Sequence, residues 1–172
     1  MRNPLAYHIT FTTYGTWLHG DGRGSVSKAL NQYSSDFVTP SRSLKNREKR
    51  ILKNQPVILN KMQRKTALEA ILQVCNYHNW FAHAVHVRSN HIHIVVYGKE
   101  MPEKMMAQFK AYATRAIKKC SYDVYIKKYW TRHGSTRYIW KKDALASTIE
   151  YVKTGQGKIM VYGSNIQSPE RE

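Results

Sequence analysis

The chain has 172 residues, which is typical of a single domain with one hydrophobic core, so we expect one domain over 1–172. Its 28 lysines and arginines against 11 acidic residues give a formal net charge of +17, which favours a polyanionic partner, above all nucleic acid, over a neutral metabolite. The two distant cysteines argue against a disulfide framework or a cysteine zinc site, and the absence of a long apolar run predicts an intracellular protein without membrane contact.

The first half of the chain is predicted to contain a strand, a basic segment and a helix. Residues 5–14 alternate aromatic and aliphatic side chains with polar ones, which is typical of a strand. Closely spaced glycines then break the pattern, and residues about 19–60 are predicted to be a basic insertion of loops and short helices. From 61 to 78 the apolar residues recur every three or four positions, which predicts a helix with one buried stripe.

The second half is predicted to contain, in order, a β-hairpin at 80–88 and 91–97, a helix at 103–119, a short strand after the loop that begins at 130, and a helix at 142–154. Residues 161–172 are polar and predicted to be flexible. This order of elements predicts an α+β fold, in which an antiparallel sheet carries helices on one face and leaves the other face partly free. The free face is where a functional site is expected.

His91 and His93 stand two residues apart in a predicted strand. Side chains alternate between the faces of a strand, so both imidazoles share one face while Ile92, Ile94 and Val96 face the core. Their Cα atoms are then about 7 Å apart, which lets both rings bind one ion. Two imidazoles suit a borderline divalent cation and leave positions for another ligand and for phosphate oxygens. The alternative is that they are only the polar face of a half-buried strand, and His8 of the first strand could reach the same face.

Basic and aromatic side chains are interleaved over 104–142, which favours contact with nucleic acid over a merely solvated basic surface. Cations bind phosphates, and flat rings stack on unpaired bases. The segment WTRHGSTRYIW could equally be a DNA-facing loop or the packing that positions the last helix. The residues predicted to contact DNA are Arg23, Lys110, Arg115, Trp130, Arg132, Arg137 and Lys153.

Six motifs in order resemble the single-tyrosine HUH transposases of insertion sequences, above all the REP-associated tyrosine transposases: YHITFTTYGTW, WFAHAVHVRS, NHIHIVV, FKAYATR, WTRHGSTRYIW and EYVKTGQG. They span about residues 5–160. The resemblance implies a ferredoxin-like antiparallel palm with a C-terminal helix that carries a nucleophilic tyrosine. It also implies a bacterial, cytoplasmic, metal-dependent endonuclease that cuts single-stranded DNA beside a hairpin and leaves a 5′-phosphotyrosine and a free 3′-OH.

Carried onto this sequence, the resemblance implies that His91 and His93 bind Mg2+ or Mn2+. The polar third ligand of the family would be Gln156, although it stands five residues after the tyrosine, where better-known members have it four residues after. Two residues could substitute for it, Glu150 and His8.

The resemblance implies Tyr151 as the nucleophile, and Tyr112 is the alternative. Because a phenol is protonated at neutral pH, either tyrosine needs nearby cations to stabilise the phenolate. The family contains both monomers and homodimers, so a homodimer remains open. Two other functions also remain open, a nucleic-acid-binding protein without catalysis and a metal-dependent nuclease that uses water.

Overall fold

The computed structural model describes residues 3–18, 20–21, 40–121, 125–155 and 161–163. Within these ranges the elements are, in order, β1 Ala6–Thr12, α1 Arg42–Arg50, α2 Lys61–Tyr77, β2 Phe81–Val87, β3 His91–Tyr97, α3 Pro102–Ser121, β4 Ser135–Ile139, α4 Lys142–Thr154 and β5 Val161–Gly163. The predicted hairpin and helices are confirmed, and α4 has the predicted bounds. None of the described helices is long and apolar enough to cross a membrane.

The strands form one antiparallel sheet in the order β4-β1-β3-β2-β5. The first four strands, with α2 and α3 as crossovers, give the ferredoxin-like βαββαβ arrangement, so the predicted α+β fold is confirmed. β5 differs from the prediction, because its residues 161–163 belong to the segment expected to be flexible. It pairs with the outer edge of β2, whose backbone hydrogen-bonding groups would otherwise face solvent.

Helices α2 and α3 cover one face of the sheet, where they enclose a large apolar core with Ile92, Ile94 and Val96 of β3. The start of α2 follows from its sequence, because Asn60 and Gln63 form a reciprocal capping box, with hydrogen bonds of 2.9 and 3.0 Å between each side chain and the other's backbone N–H.

α4 rests on the opposite face of the sheet through a smaller apolar cluster. Ile149 and Val152 of the helix contact the buried residues Ala84 and Val95 of the sheet. Val95 lies two residues from His93 along β3, so α4 packs directly beside the histidines. The sheet face that carries the histidines is therefore only partly covered.

Candidate active site

The pairing of β1 with β3 creates a polar group on the sheet face that α2 and α3 leave open. Thr10 stands directly opposite His93, Thr12 stands opposite His91, and His8 stands opposite Val95. Since alternate residues share a face, His8 lies on the same face as both histidines of β3. The predicted common face of His91 and His93 is thus extended by residues of the neighbouring strand.

The imidazole nitrogens in this group lie within hydrogen-bonding distance of other polar atoms. Nε2 of His8 lies 3.2 Å from Nδ1 of His93, and Oγ1 of Thr10 lies 3.0 Å from the same Nδ1 and 3.4 Å from Nε2 of His8. Nδ1 of His91 lies 2.7 Å from Oδ1 of Asn90, and the rings of His91 and His93 are perpendicular, with centroids 5.0 Å apart.

α4 positions Tyr151 beside these histidines. The phenol ring stands edge-on to both imidazoles, with its centroid 5.9 Å from that of His93 and 6.4 Å from that of His8. It remains 48% exposed, so a large substrate can reach it. The next residue, Val152, is buried, and its carbonyl oxygen accepts a hydrogen bond of 3.0 Å from Nδ1 of the buried His86 on β2. This bond ties the last turn of the helix to the sheet.

The site favours neutral imidazoles. The pKa of His93 is lowered to about 3, chiefly by burial and to a smaller extent by the neighbouring His91 and His8. Burial also lowers the pKa of His8 to about 4, and Arg137 contributes. At neutral pH both rings are therefore uncharged and can each offer a lone pair to a cation.

Tyr112, the alternative candidate for the nucleophile, lies on the other side of the sheet. Tyr112 is on α3 and packs against the core on the far face of the sheet, so the sheet separates it from the histidines. Arg115 lies over the Tyr112 ring at 4.2 Å and is therefore on that same far side. Arg137 has the opposite placement, since it pairs with His8 across β1 and β4 and is exposed on the open face.

Two of the residues predicted to contact DNA instead have structural contacts. Trp130 is only 5% exposed, and its indole N–H donates to the carbonyl of Lys110 at 3.1 Å and to the hydroxyl of Thr114 at 2.9 Å. Its ring is part of the core, which favours the other role predicted for this loop, the packing that positions the last helix. The Lys110 ammonium donates to three consecutive carbonyls of residues 131–133, so it holds this loop in place.

The remaining predicted residues are distributed between the surface and the undescribed segments. Arg132 is exposed in the loop before β4, and Glu150 is exposed on α4. The side chain of Lys153 lies against Gly163, where an added Cβ would be 2.6 Å from Cε of the lysine. Arg23 and Gln156 lie outside the described residues.

Three further residues near the histidines were not predicted from the sequence. Thr10 lies two residues after His8 in β1, so the alternation of side chains along the strand could have assigned it to the same face. Arg88 is near enough to contribute to the lowered pKa of His93, and its backbone N–H donates to the carbonyl of His91 at 2.9 Å. His86 faces the site side because it pairs with His93, which no periodicity in β2 could reveal.

Across the described part of the chain, no three histidine, cysteine, aspartate or glutamate side chains are grouped so that they could hold a metal ion by themselves. Another type of ligand, such as a hydroxyl, an amide or a substrate oxygen, would have to join the imidazoles.

The chain was compared with known proteins, known structures and family models. No curated protein matches the chain. Similar solved structures include a REP-associated tyrosine transposase bound to a REP hairpin, with 14% identity, a TM-score of 0.48, and 88% of this chain and 68% of the other covered. Another is a "putative transposase" from Deinococcus radiodurans R1, with 8% identity, a TM-score of 0.45, and 89% and 92% covered. The family model described as transposase, IS200-like, matches residues 49–156, which contain both strand histidines and Tyr151. The chain belongs to the IS200-like transposase family.

Proposed function

We propose that this protein is a DNA nicking and joining enzyme that cuts single-stranded, hairpin-forming DNA through Tyr151, with Mg2+ or Mn2+ held at His91 and His93. The observation that carries the proposal is the position of Tyr151, whose half-exposed ring stands 5.9 Å from that of His93, centroid to centroid. The candidate nucleophile and the two candidate metal ligands, which come from separate elements, thus lie on one open face.

The donor chemistry of the site fits a divalent cation. The imidazoles of His93 and His8 are neutral at neutral pH, and imidazole binds first-row divalent ions well. When bound, the cation would bind a phosphate oxygen and offset the charge that develops on the phosphorus.

The side chains of this protein would perform the transfer itself. The phenolic oxygen of Tyr151 attacks phosphorus, the bond from phosphorus to the 3′ oxygen breaks, and the phenolic proton ends on that oxygen. The products are a 5′-phosphotyrosine and a free 3′-OH. Attack by a 3′-OH on the phosphotyrosine reverses the step and rejoins DNA without an outside energy source. Arg137 and Arg88 are the cations that border the histidines and would hold the phosphates.

The test is a denaturing gel of protein incubated with end-labelled single-stranded hairpin oligonucleotides, with Mn2+ or with EDTA. The wild type should give a covalent protein-DNA band that requires the metal. Tyr151→Phe removes only the nucleophilic oxygen and should reduce this band by at least about a thousandfold, because the covalent step has no substitute. Tyr112→Phe is the matched control and should retain wild-type activity.

Each other outcome identifies a different function. Cleavage without an adduct, retained by Tyr151→Phe, would indicate a nuclease that uses water. Tight DNA binding without any cleavage would indicate a nucleic-acid-binding protein. An adduct retained in Tyr151→Phe but lost in another tyrosine variant would show that the nucleophile is assigned to the wrong residue.

A further inference from the structure

Two large aromatic rings are exposed at one edge of the sheet. Tyr138 of β4 is 41% exposed, and Trp140, which directly follows β4, is 48% exposed. Their rings are nearly parallel, with an interplanar angle of 13° and centroids 6.0 Å apart, an offset-stacked arrangement that aromatic pairs favour. Among the described residues, neither ring belongs to the two apolar clusters of the core. The pair therefore presents flat aromatic surface to solvent.

The pair lies close to the candidate active site along the chain but on the other face of β4. This strand is the first in the order of the described sheet, so it forms an edge. Neighbouring residues of a strand point to opposite faces. Arg137 pairs with His8 and borders the histidines, whereas Tyr138 pairs with Tyr7. A DNA strand that passes over this edge can therefore contact both Arg137 and the aromatic pair.

The core holds the aromatic pair in a fixed orientation. Tyr138 stands edge-on against Tyr7, with ring centroids 5.1 Å apart, and Tyr7 is buried in the core under α2 and α3. Trp140 in turn stacks on Tyr138. A ring that is already ordered loses little conformational freedom when a ligand stacks on it. The exposed surface of the pair is therefore suited to bind another flat group.

The charge around the pair favours an anionic ligand. Residues 137–143 contain three exposed cations, Arg137, Lys141 and Lys142, against one acid, Asp143. Flat rings beside cations bind unpaired nucleotides, because bases stack on the rings while phosphates bind the cations. A continuous duplex fits less well, since its bases already stack on one another and leave no free face for the rings.

We propose that Tyr138 and Trp140 bind an unpaired base of single-stranded DNA by stacking, an inference that rests on the proposed function because it concerns the same substrate. The DNA strand passes Arg137 at the edge of the sheet, and one of its bases stacks on Trp140, which Tyr138 supports from behind. Every base has a flat face, so this contact strengthens binding of unpaired DNA of any sequence. It also restrains the strand outside the site of cleavage.

The test measures, by fluorescence anisotropy, the affinity for an unstructured oligonucleotide and for a blunt duplex of the same sequence. EDTA is present, so that metal-dependent cleavage does not occur. Trp140→Leu removes the flat ring and should weaken single-strand binding by about 5- to 100-fold, the loss of one stacked base, while duplex binding stays within about twofold. Trp140→Phe keeps a flat ring and should bind single strands within about threefold of the wild type.

Tyr77→Leu is the matched control. It removes another exposed ring that contacts a neighbouring ring, that of His78, at the end of α2. This variant should bind both DNAs like the wild type.

Photochemical crosslinking shows whether a base contacts these rings. An oligonucleotide that carries bromodeoxyuridine is irradiated in complex with the wild-type protein, and mass spectrometry should locate a crosslink at Trp140 or Tyr138. Crosslinks only at other residues would overturn the inference, as would wild-type affinity in Trp140→Leu or an equal loss of single-strand and duplex binding. Circular dichroism confirms that the variants are folded, and the crosslink on the wild type decides the matter if Trp140→Leu is not.

These results are distinguishable from failure of the proposed function. A protein that binds single strands through Trp140 but forms no adduct with DNA in Mn2+ overturns the proposed function and supports this inference. An adduct that depends on Tyr151, together with single-strand binding that does not depend on Trp140, overturns this inference alone.

Discussion

His93 is enclosed more fully than an exposed polar face of a strand would suggest. Its side chain is only 8% exposed, and the imidazole of His8 and the hydroxyl of Thr10 occupy its open side. A buried imidazole strongly disfavours the added proton, because the charged form loses its hydration. The same enclosure that makes the ring a neutral ligand therefore makes the folded protein sensitive to acid.

The two histidines predict how the stability of the metal-free protein depends on pH. Their pKa values are about 3 for His93 and about 4 for His8 in the folded chain, against about 6.5 for an unperturbed histidine. Between these values the unfolded chain binds more protons, so the free energy of unfolding should fall as the pH drops from about 6.5 towards 4. Each histidine contributes a slope that approaches about 1.4 kcal/mol per pH unit.

Chemical denaturation at pH 7, 6 and 5 measures this slope. His8→Phe and His93→Phe should each flatten it, while Thr66→Val, which removes no titratable group, should leave it nearly unchanged. General acid destabilisation of this highly basic chain affects all variants alike, so the difference between variants is the informative quantity. Equal slopes in all four proteins would contradict the assignment of buried, neutral rings.

At the scale of elements, the attachment of α4 controls where the tyrosine stands. The helix rests on a small apolar cluster, and His86 adds a buried hydrogen bond to the carbonyl of Val152, the residue after Tyr151. A carbonyl that loses its partner inside a protein costs about 1–3 kcal/mol. The histidine on β2 therefore acts on the tyrosine through the backbone of the helix.

His86→Phe should lower the free energy of unfolding by about 1–3 kcal/mol and increase amide hydrogen exchange in the last turns of α4. Adduct formation should slow, because Tyr151 is held less often beside His93. Thr66→Val is the matched control, since it removes a side-chain contact with Cys120 between α2 and α3 on the other face. That variant should leave exchange in α4 unaltered, and unaltered exchange in His86→Phe would refute the role of the hydrogen bond.

At the scale of the whole molecule, the formal net charge of +17 can strengthen DNA binding only through basic side chains that face the DNA. The sheet separates two kinds of arginine. Arg137 borders the histidines on the open face, and Arg115 lies over Tyr112 on the face covered by α2 and α3. If single-stranded DNA binds at the candidate site, removal of Arg137 should weaken binding and removal of Arg115 should not.

Affinity for a single-stranded hairpin oligonucleotide should fall steeply with salt, by about 100- to 1000-fold between 50 and 200 mM for about six phosphate contacts. Arg137→Ala should reduce the slope of log affinity against log salt by about 0.7, which corresponds to one lost contact. Arg115→Ala should leave the slope unchanged. Fluorescence anisotropy across a salt series measures both, and the reverse result would place the DNA on the other face.

The sequence by itself determined the local features of this protein. Periodicity located α2, α3, α4 and the hairpin, and alternation along β3 correctly separated the histidines from the core residues Ile92 and Ile94. These features depend on residues close together in the chain, whose spacing records the repeat of a helix or strand. The ordered motifs also indicated the transposase family, and the family-model match over residues 49–156 confirms it.

Only the tertiary structure decided which elements meet. The contact between His8 and His93 joins residues 85 positions apart, and it depends on the register of β1 against β3, which alternation in either strand leaves undetermined. The burial of Trp130 and the pairing of β5 with β2 also depend on contacts between distant parts of the chain. A residue's own sequence neighbourhood can assign it to a face, but the partner across that face comes from a distant part of the chain, and packing alone selects it.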